Sequence, residues 1–274
     1  MSNNEAEASA LSRLEGIRYI SAAAITCLLW DHALTIDDEL EHIWKNKRRG
    51  LAGFASKFSY GLGRYGVEIA MVFGAYVLSG ITHISDPAVC RIFVWVLVGI
   101  GTVFATITHF TVILRIYISW DRRRVIAYML SGAFLVLISL FTSFLLVAAG
   151  KANVEFNDEL NTCILRDIPI YVPLSFGSII VLEVFILLLT IYNAIATPCR
   201  THIEVIYKLQ RDGFMAFMIF NSHFSTGLRV INMSFAIFAD PAYCLATSTV
   251  AIALSTVTNS HMHIMKLLNA PGCI

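Results

Sequence analysis

The chain has 274 residues, of which 57% are hydrophobic and 14% charged, with a formal net charge of +1. Soluble domains carry about 45–50% apolar and about 25% charged residues, so this chain has too little charge to clothe a water-facing surface, and its mean hydropathy of +0.70 agrees. Near-neutrality and the lack of a long basic block exclude nucleic acid as a partner; what remains is an all-α integral membrane protein.

A helix that crosses a bilayer uses about 20 residues at about 1.5 Å each, and seven apolar runs of that kind follow one another along the chain. Residues 1–16, MSNNEAEASALSRLEG, are polar and acidic, unlike the basic start of a signal peptide, and read as a disordered outer tail. A seven-helix transmembrane domain then occupies 17–265. Its first span, 17–36, contains Asp31 and His32 near its end. The residues that follow, Asp37, Asp38, Glu39 and Glu41 with Lys45 to Arg49, read as a solvated amphipathic helix on the inner surface, with Leu40, Ile43 and Trp44 on its apolar stripe. Span two, 59–81, carries Glu68; span three, 91–118, carries His109. Spans four, 125–149, and five, 172–195, are the most apolar, and five holds Glu183. Span six, 213–238, holds Arg229, and span seven, 242–265, ends on His261 and His263 before a short cytosolic tail, 266–274.

Arginine and lysine sort the loops. Thirteen lie at one face (Lys45, Lys47, Arg48, Arg49, Lys57, Arg64, Arg122, Arg123, Arg124, Arg200, Lys208, Arg211 and Lys266) and five at the other (Arg13, Arg18, Arg91, Lys151 and Arg166). Because short cytoplasmic loops are the basic ones, the N-terminus is expected outside and the C-terminus in the cytosol. Plasma membrane is expected in preference to internal membranes.

From Tyr19 the sequence reads YISAAA, then LLWDHALTIDDE from Leu28 to Glu39, then Ile43, Trp44 and Lys45. It resembles the N-terminal domain of unknown function that marks a large family of fungal, mostly basidiomycete, multi-pass membrane proteins, with D-H-x-L-T-x-D-D-E as the specific string. Weaker similarities are Leu114 to Tyr117, Thr162-Cys163, Arg211 to Gly213 and the Ser/Asn-rich end of span seven. The resemblance implies a seven-helix membrane protein and supplies no activity.

An ionisable side chain in the bilayer costs at least ~2.5–3.5 kcal/mol on insertion scales, so each is a site candidate. Asp31, His32, Glu68, His109, Glu183 and Arg229 are therefore singled out as ligand or structural residues. Glu183 and Arg229 lie ~17 Å and ~14 Å below the same surface on consecutive antiparallel spans, close enough in depth to pair. Glu68, at comparable depth, is the alternative partner for Arg229.

No metal is expected. His261 and His263 are two residues apart and face different ways, and no His-x-x-x-His occurs in any span. Span seven has no central lysine for retinal; Lys266 lies at its end. With no phosphate loop or nucleophile elbow, neither a cofactor nor an enzyme is expected. Cys199 and Cys273 are palmitoylation candidates at the inner face. Cys90, opening span three, and Cys163, in the 22-residue loop between spans four and five, both face the oxidising side, where disulfides persist. A bridge between them is expected, two free thiols being the alternative. That pairing, the topology and Asp121-Arg122 after span three favour a receptor or sensor, although the NPxxY and Trp-x-Pro strings of rhodopsin-like receptors are missing. A small-solute transporter or channel is the alternative, and an intramembrane enzyme the third reading. The expected partners are membrane lipids, a small-molecule or lipid ligand in the bundle, and a cytosolic signalling partner.

Overall fold

The structure is a computed structural model and describes residues 3–45, 57–78, 87–120, 123–157, 162–165, 167–196, 223–238 and 241–268. Several expectations lie outside the described residues: positions 213–222 of span six, Asp121-Arg122, Lys47 to Arg49, Cys199 and Cys273.

Nearly everything described is helical. In chain order, α1 is Asn3–Glu39 and runs on into a π-helical turn, Leu40–Trp44. Helix α2 covers 57–78, with a second π-helical turn, Leu62–Gly66, ahead of Val67–Leu78. Then come α3, Pro87–Ser119, and α4, Arg124–Lys151. Helix α5 is Tyr171–Ala196, α6 covers 223–238 and α7 is Pro241–Leu268. Four helical stretches, Glu15–Glu39, Ala88–Leu114, Arg124–Lys151 and Tyr171–Asn193, are long and apolar enough to cross a membrane. Their outward faces suit lipid: Leu135 and Leu188 are 64% and 60% exposed. A water-soluble fold would bury such residues, so the protein is membrane-embedded.

Polar hydroxyls survive inside these helices because they donate to their own backbone. Thr102, Thr106, Thr142 and Thr190 each bond the carbonyl four residues back, as do Thr256 and Thr258 in α7.

The structure corrects two expectations and adds a feature. Residues 3–16 are not a disordered tail but the first turns of α1, as the helix formers Glu5, Ala6, Glu7, Ala8 and Leu11 allow. At the far end, helix α7 continues to Leu268, past the start of the expected tail. The loop after α4 carries a short hairpin: Ala152 turns extended, and β1 (Val154–Asn157) pairs antiparallel with β2 (Thr162–Leu165), Phe156 opposite Cys163. Thus the fold is not purely α.

Two larger apolar cores hold the described helices, beside a small contact of Ile43 with Tyr60. One joins α3, α4 and α5 through Ile113, Ile116, Trp120, Ile126, Leu130, Leu182 and Ile186, with Trp120 stacked on Tyr192 at 5.8 Å between ring centroids. The other joins α1, α2 and α7 through Ala24, Leu28, Val67, Met71 and Ala253. Lipid gives helices no hydrophobic reason to associate, so close packing at small residues does that work. Among the described glycines Gly66 has the closest approach, because a Cβ there would come 2.8 Å from the Phe104 ring of α3. Helix α7 lies along α1, and α5 along α4.

Candidate functional site: two buried polar clusters

Among the described residues the bundle buries two groups of ionisable side chains. The first lies where α1 ends, α2 begins and the second half of α7 passes. Asp31, Thr35 and Glu39 recur every four residues, as do Tyr60, Arg64 and Glu68. Residues four apart share a helical face, so two polar stripes meet across the α1–α2 contact.

Arg64, only 2% exposed, is the hub. Its Nη2 donates to Thr35 Oγ1 at 2.6 Å and to Asp31 Oδ2 at 3.2 Å, and its Nη1 donates to Tyr60 Oη at 3.1 Å. Glu39 is fully buried. Its Oε1 accepts from Tyr65 Oη at 2.6 Å and Trp44 Nε1 at 2.9 Å, and its Oε2 from Tyr60 Oη at 3.2 Å. Arg64 Nε stands 3.7 Å from the same carboxylate. His32 Nδ1 bonds Glu68 Oε1 at 2.6 Å, and His261 Nε2 reaches Asp31 Oδ1 at 2.7 Å. Three carboxylates, one guanidinium and two imidazoles thus tie α1, α2 and α7 together. Strand β2 of the hairpin meets the Val67–Leu78 segment of α2.

Within residues 37–45 this corrects the reading of a solvated surface helix in part: Asp37, Asp38 and Glu41 are exposed and Ile43 is buried, as expected, but three positions differ. Glu39 is interior, while Leu40 and Trp44, assigned to the apolar stripe, are 46% and 41% exposed. The π-helical turn at Leu40–Trp44 widens the helix, which offsets the faces that a regular spacing assigns. Glu68 pairs with His32 and Arg64 rather than with Arg229.

The second cluster lies between α3, α5 and α6. Glu183 Oε1 accepts from Arg229 Nε at 2.7 Å and from Ser225 Oγ at 2.9 Å. Ser225 and Arg229 are four apart on α6 and grip the carboxylate from one face. His109 Nε2 stands 3.7 Å from the same oxygen, outside hydrogen-bond range. The depth matching of Glu183 and Arg229 is therefore realised as an ion pair.

Cys90 and Cys163 form a disulfide with Cα atoms 5.6 Å apart, which fastens the hairpin to the start of α3. Cys27 and Cys244 are free thiols.

Of the residues singled out beforehand, Asp31, His32 and Glu68 enter the first cluster, and His109, Glu183 and Arg229 the second. Sequence reasoning missed Thr35, Glu39, Tyr60, Arg64, Tyr65 and His261 in the first, and Ser225 in the second. The four-residue recurrence in α1 and α2 was the available signal.

Residues 19–67 match a family model described as a family of unknown function, DUF6533. The matched segment spans most of α1 and the first half of α2. It holds the first cluster except Glu68 and His261, and none of the second. No curated protein matches the chain.

Proposed function

We propose that the chain is a seven-helix, receptor-like protein of the plasma membrane, with its N-terminus outside and its C-terminus in the cytosol. The Cys90–Cys163 disulfide carries this reading. Disulfides persist in oxidising compartments, so the hairpin and the start of α3 face outward, in agreement with the thirteen-to-five bias of basic residues. Helices α2, α6 and α7 complete the seven. Helix α7 lies along the spanning part of α1, and a helix so packed shares its membrane. Pinned across the start of α3, the hairpin walls an outer vestibule above the interior polar groups. A fungal source, with Asp31 to Glu39 as the matched family's signature, belongs to the same proposal.

A small-solute transporter is the second reading, favoured by the excess of carboxylates over guanidinium in the Arg64 cluster, since ionisable groups at membrane depth mark ion and proton paths. Two assays separate them. Membranes containing the protein should accelerate guanine-nucleotide exchange on one of a panel of purified G proteins, and Cys90→Ser should reduce that rate. Proton or solute flux in proteoliposomes, with no exchange on any G protein, would replace the receptor by the transporter. A tag at residue 2 should label on intact cells; labelling only after permeabilisation would overturn the orientation.

A further inference from the structure

Helix α7 is held on α1 in two ways. Midway, Ala253 packs among Ala24, Leu28 and Met71, with Val250 and Val257 beside it. About two turns further on, His261 Nε2 meets Asp31 Oδ1 at 2.7 Å. Thr256 and Thr258 in this half of α7 bond carbonyls of their own helix, whereas His261 reaches across to another. Its side chain is 46% exposed against 13% for Asp31, and Arg64, Glu39, Glu68 and His32 are likewise more enclosed. Asp37 and Asp38 are exposed, so the water-facing end of α1 lies within about 10 Å of Asp31.

We propose that His261 and Asp31 form a proton-operated latch: the protonated imidazole holds the last two turns of α7 on α1, and loss of that proton lets them come away while the Ala253 packing stays. Asp31 divides its oxygens between neighbours, because Arg64 Nη2 donates to Oδ2 at 3.2 Å. Release of His261 therefore leaves the carboxylate paired and the α1–α2 half of the cluster bonded. A latch of this kind can open without stranding a buried charge.

The neighbours of α7 favour a cation there. Asp31, Glu39 and Glu68 stand against Arg64 and His32 on the elements packed against it, and Glu41 on the π-helical turn is exposed. The Tyr60 and Tyr65 hydroxyls are engaged on Glu39. Three carboxylates thus outnumber one guanidinium and attract a charge on His261, but not a neutral ring. Histidine changes charge between about pH 5 and 8. With the proton bound, Nε2–H donates to Asp31 in a charge-assisted bond; without it only a neutral contact remains. The hold is full at the acidic end of that window and is lost as pH rises through it. It does not depend on whether the protein signals or transports, because it is read on purified protein with neither a G protein nor a gradient.

Hydrogen–deuterium exchange of full-length protein in nanodiscs at about pH 5.5 and about pH 8 tests the latch, with the intrinsic exchange rate at each pH divided out. Both values stay above the ordinary carboxylate range of about 4. Protection of amides 261–268 in the parent should fall at least threefold or so at the higher pH, the worth of a half-exposed ion pair, while the amides of α4 keep theirs. His261→Gln retains a donor but has no proton to lose, and should match the unlatched parent at both pH values. His261→Arg carries a fixed charge and should stay protected at both. Equal protection of the parent at the two pH values overturns the latch, whether or not either variant folds. A pH step retained in His261→Gln assigns it to another group, such as His32 on Glu68, and overturns it too. A fall shared by α4 means that the whole bundle loosens, and the proposal fails.

Discussion

Around Glu39, three donors fill both carboxylate oxygens and Arg64 stands behind them. Around Glu183, one oxygen takes both donors and the other takes none among the described residues. Both carboxylates are buried on neighbouring parts of one helical bundle, so burial alone does not distinguish them. Saturation does. The Glu39 carboxylate is filled from three side chains and fixes the elements that carry them, although Arg64 Nε in the same cluster has no hydrogen bond; the Glu183 carboxylate is filled on one oxygen only. The α1–α2–α7 cluster is therefore the more heavily bonded fastening, and the α3–α5–α6 cluster the more sparsely bonded one.

Substitutions should separate the two in size and in sign. The largest effect is expected from Arg64→Met, which leaves Asp31, Glu39 and Glu68 without their guanidinium. Breaking a buried pair on one side costs about 3–5 kcal/mol, so detergent-purified Arg64→Met should melt well below the parent. Adding Glu39→Gln should recover part of the loss. If Arg64→Met melts with the parent protein, the fastening role is wrong.

Glu183 and Arg229 should give a coupled but smaller response. Glu183→Gln and Arg229→Met should each destabilise by about 2–4 kcal/mol, below the upper end for buried pairs because Arg229 is partly exposed. The double variant should lose less than the sum of the two. Strict additivity in melting measurements would show that the pair is not coupled.

Gly66→Ala tests the packing that brings the Arg64 turn against α3. The new Cβ would meet the Phe104 ring at 2.8 Å, and overpacking costs about 1–3 kcal/mol. Parallel substitution at Gly74, where a Cβ meets nothing within 4 Å, should be near neutral or mildly stabilising. Equal melting of the two variants would remove the close-approach account.

The smallest effect should have the opposite sign. His109 buries two nitrogens without partners, and an apolar ring of similar shape removes that desolvation cost. His109→Phe should thus hold or raise the melting temperature by about 1 kcal/mol of stability, whereas His32→Phe, which removes the 2.6 Å bond to Glu68, should lower it.

The sequence showed which residues would be expensive in lipid and roughly how deep each lies. That was enough to match Glu183 with Arg229 across consecutive spans and to put Cys90 and Cys163 on one side. It failed at Glu39 and Arg64. Glu39 stands in a run of acids that ordinarily solvates, and Arg64 counts as one more basic residue near a loop. Their four-residue recurrence with Asp31, Thr35, Tyr60 and Glu68 marks a shared face on each helix, but not what that face meets.

Composition and hydropathy by themselves determined the membrane setting, because 14% charged residues cannot solvate a surface and apolar runs of bilayer length have few other uses. They determined helix positions too, since backbone groups in lipid must bond within their own segment. Which charges meet was decided only by the tertiary structure. Depth along a helix is a one-dimensional quantity that spacing records, whereas pairing needs the rotation of each helix about its axis and the identity of its neighbours. Two π-helical turns beside Glu39 and at Arg64 shift that rotation in a way no regular period carries, and contact between α1 and α7, which brings His261 to Asp31 across 230 residues of chain, exists only in the packed bundle.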